Sequence, residues 1–239
     1  MEILAFFYID PMYLVYVGPA MLLAMWAQMK VKSAYRIAGQ HPANSGLSGA
    51  ETAQRILNVY GITDVSIEPA KSFLGDHYDP KSKALRLSPE VYQGRTLASL
   101  GIAAHEVGHA IQDAQAYGPL AIRNGLVPMA SLGSRLSVLL IIVGLVLAYM
   151  QAAVGGTIAA IGLGLFGVVV LFQVVNLPVE YNASSRARAI LLDQGMVTTA
   201  EDRIVGKVLS AAALTYVAAT LTAILTMLYW ASIVFGRRD

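Results

Sequence analysis

The chain has 239 residues, 56% of them hydrophobic and only 13% charged, where an ordinary soluble domain is about 25% charged. So few charges cannot coat a water-soluble surface of this size; part of it must face lipid, and intrinsic disorder, which needs the opposite balance, is excluded. The net charge of +2 makes no case for nucleic acid, and the absence of cysteine removes disulfide frameworks, thiolate metal sites and cysteine nucleophiles.

In chain order, the first apolar stretch lies near 8–29. Glu2 and Asp10 precede its core, and Lys30 and Lys32 follow it. It therefore reads as an anchor with its N-terminus outside, not as a cleavable signal peptide. Residues 30–125 are the one stretch of soluble-domain composition. Ser48 and Glu51 form a capping-box pattern that opens a helix through Ala53, Ile56, Leu57 and Tyr60, ended by Gly61. Val65–Glu68 and Ala84–Leu87 alternate as short strands, with a turn or irregular edge at Gly75–Pro80 between them. Ser88-Pro89-Glu90 starts a further helix, proline being suited to the first helical position. A longer helix is expected over 95–117, closed by Gly118-Pro119.

Beyond it, Leu136–Val179 is a 44-residue run without a charge, and Val208–Gly236 is another of 29. A spanning helix needs about 20 apolar residues, so the longer run holds two spans, with Gly155-Gly156 supplying the turn. Four transmembrane helices are expected, near 8–29, 134–153, 156–178 and 208–235. Of the 17 lysines and arginines, all but Arg237 and Arg238 fall in 30–135 or 186–207, which puts those segments in the cytoplasm. Four spans leave Arg237 and Arg238 outside, against that rule; a last helix packed in the membrane without crossing would remove the conflict.

The long helix contains His105-Glu106-Val107-Gly108-His109. Residues four apart share a helix face, so both imidazoles can reach one metal ion, and Glu106 lies beside the open side of the site, where it can take a proton from water there. Zinc suits such a site, with nitrogen and oxygen ligands and one open position. At this chain's own histidine and glutamate frequencies the pattern arises by chance in roughly one chain in 500. Two interior histidines and a carboxylate would also be costly to bury without a metal or partners. Gly101, Ala104 and Gly108 let other segments approach this helix closely.

A third ligand is needed, and no histidine follows His109. The carboxylates available are Asp113, Glu180, Asp193, Glu201 and Asp202. Asp113 is too near along the helix to close a tetrahedron. Glu180, at the cytoplasmic end of the third span, is level with a domain packed on the bilayer. Weaker candidates surround these: His77 and Tyr78 for oxyanion or substrate contacts, Tyr181 beside Glu180, and Arg186 and Arg188 for a substrate carboxylate. His41 reads as a loop residue, the glycines of 155–167 as helix-packing surfaces, and Trp26, Tyr229 and Trp230 as interfacial aromatics.

His105–Gln112 together with Leu177–Ser184, and the stretches Gly46–Glu51 and Asp76–Pro80, resemble the YugP-type membrane zinc metallopeptidases over nearly the whole chain. HtpX-like peptidases are more distantly similar. The resemblance implies a bacterial multi-pass membrane protein of the gluzincin group with Glu180 as third zinc ligand. The related pattern carries an aspartate four residues after that glutamate to orient a histidine ligand; this chain has Ser184 there, and a neutral Asn182 between.

The expectation is thus a mainly α membrane protein with about four transmembrane helices and a small α+β gluzincin-like zinc peptidase domain. Its parts are a first anchor (1–29), a cytoplasmic α+β catalytic segment (30–133), a transmembrane hairpin (134–178), a cytoplasmic segment with the third ligand (179–207), and a last transmembrane or membrane-packed helix with its tail (208–239). The expected activity is a zinc metalloendopeptidase of the bacterial inner membrane. One Zn2+ per chain would sit on His105, His109 and Glu180, with Glu106 catalytic. It would act on membrane proteins or peptides at the cytoplasmic face. A homo-oligomer or a regulatory membrane partner is left open. The competing reading is a non-catalytic adaptor stabilised by zinc; a channel or transporter fits poorly, because no charge lies within the spans.

Overall fold

A computed structural model describes residues 11–70 and 75–236. The elements run α1 (Pro11–Gly39), α2 (Gly49–Val59), β1 (Ser66–Pro69), β2 (His77–Asp79), β3 (Ala84–Leu87), α3 (Pro89–Gln93), α4 (Leu97–Ala114), α5 (Gly118–Tyr149), α6 (Gly155–Asp193) and α7 (Thr199–Gly236). Among the described residues, α1, α5, α6 and α7 are long and apolar enough to cross a membrane. The chain is therefore a mainly helical protein with four candidate spans and one three-stranded sheet. Residues 8–10 of the first expected span, the flanking Glu2, and Arg237 and Arg238 lie outside the described residues.

The four apolar stretches fall on these four helices, but each helix runs past the end of its stretch. α6 has 39 residues and carries Glu180 and Ser184 well inside it, two residues or more beyond Pro178. Hydropathy marks only the lipid-facing part of a helix, so a helix that continues into a polar unit is read short. The expected turn at Gly155-Gly156 is also displaced. Residues 150–154 form it, with Gln151 at φ 63°, and both glycines begin α6. Gly155 is there for contact, since a β-carbon on it would run into the Ala148 backbone, and Gly144 likewise meets Ala159. Gly118-Pro119 does not simply close the preceding helix but opens α5, with α4 ending at Ala114.

Two compact units divide the chain. The first comprises 1–26, 122–175 and 216–239; the second comprises 27–121 and 176–215. In the second, Ser48 accepts from the Glu51 amide while the Glu51 carboxylate accepts from the Ser48 amide at 2.7 Å, the full capping box expected. Gly61 follows in the left-handed region at φ 65°, open to glycine without strain. The sheet order is β1-β3-β2, with β1 parallel to β3 and β2 antiparallel to it. The Gly75–Pro80 stretch thus supplies an edge strand, held by three residues of pairing. α4 packs against α2, α3 and the sheet. Ile56, Leu57, Leu85, Leu87, Leu100, Ile111 and Leu191 are fully buried in one core, and burying each such side chain contributes about 1.5–3 kcal/mol.

Candidate metal centre

α4 presents its residues in a way the sequence dictates. Thr96 caps its N-terminus by accepting from the Ser99 amide, and small residues line its contact with the later helices. A β-carbon on Gly101 would lie 2.9 Å from a Val205 methyl, and one on Gly108 would lie 2.8 Å from the Ala183 carbonyl oxygen. Gly108 is flanked by the motif's Val107 and His109, and Ala183 lies between Glu180 and Ser184. The missing side chain therefore lets α6 come close enough for its carboxylate to meet both imidazoles. We expect Gly108→Ala to force the two helices apart at a cost of about 1–3 kcal/mol, read as a lower Tm together with lost zinc.

His105 and His109 stand edge to face with ring centroids 4.9 Å apart. Glu180 Oε2 lies 3.3 Å from His105 Nε2 and 3.7 Å from His109 Nε2. All three donors lie within 4.8 Å of one another, and the Glu180 side chain is buried. Bonds of about 2.0–2.1 Å in a tetrahedral zinc site put neighbouring donor atoms ~3.3 Å apart, close to both Glu180–histidine distances. Glu180 Oε2 is buried and makes no hydrogen bond; a naked carboxylate oxygen is costly to bury unless a cation answers it. The donor set and this orphaned atom fit zinc.

The other ring nitrogens are held by neutral groups. His105 Nδ1 lies 3.1 Å from Ser184 Oγ, and His109 Nδ1 lies 3.0 Å from Gln112 Oε1. Gln112 is fully buried, and its Nε2 donates to the Val179 carbonyl at 2.8 Å and to Asn182 Oδ1 at 3.0 Å. A carbonyl only accepts, so Val179 fixes which end of the amide is nitrogen. Gln112 Oε1 must then accept from His109 Nδ1–H, which leaves the Nε2 lone pair free for a metal. Asn182 Oδ1 also accepts from Arg186 Nε at 2.7 Å. The role of Gln112 was missed in the sequence, where only its polarity on an apolar helix face, one turn from His109, could have signalled it. Groups that orient metal-bound histidines typically matter 10–100-fold for affinity. We expect Gln112→Ala to weaken zinc binding within that range, measured by competition with a chelator.

Half-buried Glu106 completes the motif. Burial disfavours charge on His109, but the nearby Glu180 and Glu106 carboxylates outweigh it and hold its pKa above the ordinary histidine value. The remaining carboxylates are engaged elsewhere or stand apart. Asp113 accepts from Tyr78 at 2.8 Å and Lys83 at 2.7 Å. Asp193 ends α6. Glu201 accepts from the Asn44 amide, and Asp202 pairs with Arg188. Tyr78, its pKa pushed up by burial and by Asp113, is committed to that contact. His77 Nδ1 lies 2.6 Å from the Gly75 carbonyl, His41 Nδ1 lies 2.7 Å from that of Ile37, and Tyr181 is exposed. Arg186 Nη1 donates to Gln115, and Arg188 to Asp202.

Two imidazoles from an HExxH helix and a carboxylate from a later helix form a candidate His2Glu metal site in a chain with four potential membrane spans. A family described as "Putative neutral zinc metallopeptidase" matches residues 13–235. The chain is also 44% identical over 222 residues, covering 92% of it and 95% of the relative, to the Bacillus subtilis (strain 168) protein described as "Putative membrane protease YugP". The chain belongs to this zinc metallopeptidase family. No solved structure matches it.

Proposed function

We propose that the protein is a zinc metalloendopeptidase of the inner membrane that hydrolyses membrane-associated proteins or peptides at the cytoplasmic face. The observation that carries this reading is the convergence of His105 Nε2, His109 Nε2 and the otherwise unpartnered Glu180 Oε2, with Glu106 beside them. His105, His109 and Glu180 would hold one zinc per chain, which when bound supplies a Lewis acid to polarise the scissile carbonyl and acidify water. Glu106 takes the proton from the attacking water and then passes it to the leaving amine. Gln112 keeps His109 in the tautomer that offers Nε2, and Ser184 lies within hydrogen-bond reach of His105 Nδ1. A structural zinc would have no use for Glu106, which argues against the adaptor reading. Metal analysis of purified protein, paired with a proteolysis assay, tests the site. His105→Ala and His109→Ala should lose most of the zinc and all cleavage, whereas His41→Ala should keep both; full zinc in the His109 variant overturns the assignment.

The charge distribution supports the proposed side. A reporter fused after Lys32 or Gly195 should read cytoplasmic, and one inserted at Gly155-Gly156 should read outside. An outside signal at Gly195 contradicts the topology.

A further inference from the structure

In the unit formed by 27–121 and 176–215, a cavity of about 560 Å³ is lined by α1, α6 and α7. Four cations face it, Lys30, Arg188, Arg203 and Lys207, and no carboxylate does. Ser33 and Ser210 add hydroxyls, while Ile37, Ala211 and Leu214 give it an apolar side. Arg188 is fixed in place. Its Nε donates to Asp202 Oδ1 at 3.0 Å and its Nη2 to Oδ2 at 2.6 Å. Gly206 makes room for it, since a β-carbon there would lie 2.9 Å from the guanidinium carbon. Asp202 balances Arg188, which leaves the charges of Arg203 and Lys207 in excess. Arg203 and Lys207 form no ion pair with any described residue.

Lys30 is the first charge after the uncharged run 11–29 of α1, and Lys207 is the last before the uncharged run 208–236 of α7. On both helices the cavity lies where the apolar stretch gives way to charge. We propose that it binds the headgroup of an anionic glycerophospholipid, with the phosphate on the cations and the first acyl carbons along Ala211 and Leu214. Basic residues at span ends serve topology without any cavity; a pocket of this size, with a clamped arginine and an apolar wall, is more than topology requires. Anionic lipid is also what the cytoplasmic leaflet offers to basic juxtamembrane groups.

The test uses the full chain in neutral detergent, titrated with phosphatidylglycerol or phosphatidylcholine and read by retained lipid in native mass spectrometry and by Tm. Phosphatidylglycerol should be retained and raise Tm, and phosphatidylcholine should do neither; equal effects of the two overturn the proposal. The double variant Arg203→Gln, Lys207→Gln should bind phosphatidylglycerol about 25-fold more weakly, about fivefold per cation removed, with zinc content as the check on folding. Unchanged binding overturns it. A photoreactive phosphatidylglycerol on the wild-type chain should crosslink within 30–37 or 203–214, and crosslinks confined elsewhere overturn the site whatever the variant does. Inorganic phosphate binding as tightly as the lipid, or displacement of the lipid by an acidic peptide, would assign the cavity to a soluble anion or a peptide instead. None of these readouts involves proteolysis, so the result stands apart from the peptidase reading.

Discussion

Glu106→Gln should leave the zinc in place and lower proteolysis by ~10²–10⁴-fold, the contribution expected of a general base alone. Glutamine keeps the shape and polarity of the side chain but cannot accept a proton at neutral pH. Glu106 is half-buried on α4 and is not one of the three converging donors, so the ligand set is untouched. Zinc content by metal analysis and turnover on a membrane-presented peptide should therefore separate cleanly. A variant with near-normal turnover refutes the mechanism, and one that loses its zinc places Glu106 in the metal site rather than beside it.

Glu180→Ala is expected to have the larger effect, losing zinc and cleavage together. The two histidines would remain as a pair of ligands, too few to hold a catalytic ion with an open position. Asp193→Ala, Glu201→Ala and Asp202→Ala should keep the zinc. Glu201 and Asp202 are buried but bound to Asn44 and Thr198 and to Arg188, so any cost of removing them falls on folding, read as Tm, and not on the metal. Retention of zinc by Glu180→Ala, with loss in one of the other three, would show the third ligand to be wrong.

The capping box, the two flanking strands and the HExxH helix were legible in the sequence because each is decided within a few residues. Ser48 and Glu51 satisfy one another across a single turn, and His105 and His109 need only helical spacing to share a face. Glu180 was reachable for a different reason: the uncharged run before it had to be two spans, and two spans return the chain to the side it left. The helix ends were less legible, since α5 begins at Gly118 and α6 continues to Asp193, well outside the runs that lipid selects. The sequence pointed to the Ser184 position only through the resemblance, and it did not show Gln112 at all. Ser184 and Gln112 act only once α4 and α6 are packed together, and the close approach at Gly108 that brings this about is a property of two distant segments.

Both groups on the far side of the histidine rings are uncharged. A carboxylate hydrogen-bonded to an imidazole draws its proton away and makes the opposite nitrogen a stronger donor; a serine hydroxyl and a glutamine carbonyl do this only weakly. His105 and His109 are therefore comparatively poor electron donors, and the single negative charge of Glu180 is all that the three ligands set against a divalent ion. An ion held there would retain more of its electrophilic character toward a substrate carbonyl and would exchange more readily with the surrounding pool. Catalytic strength and retention of the metal would thereby be traded against each other through two neutral side chains, Ser184 and Gln112.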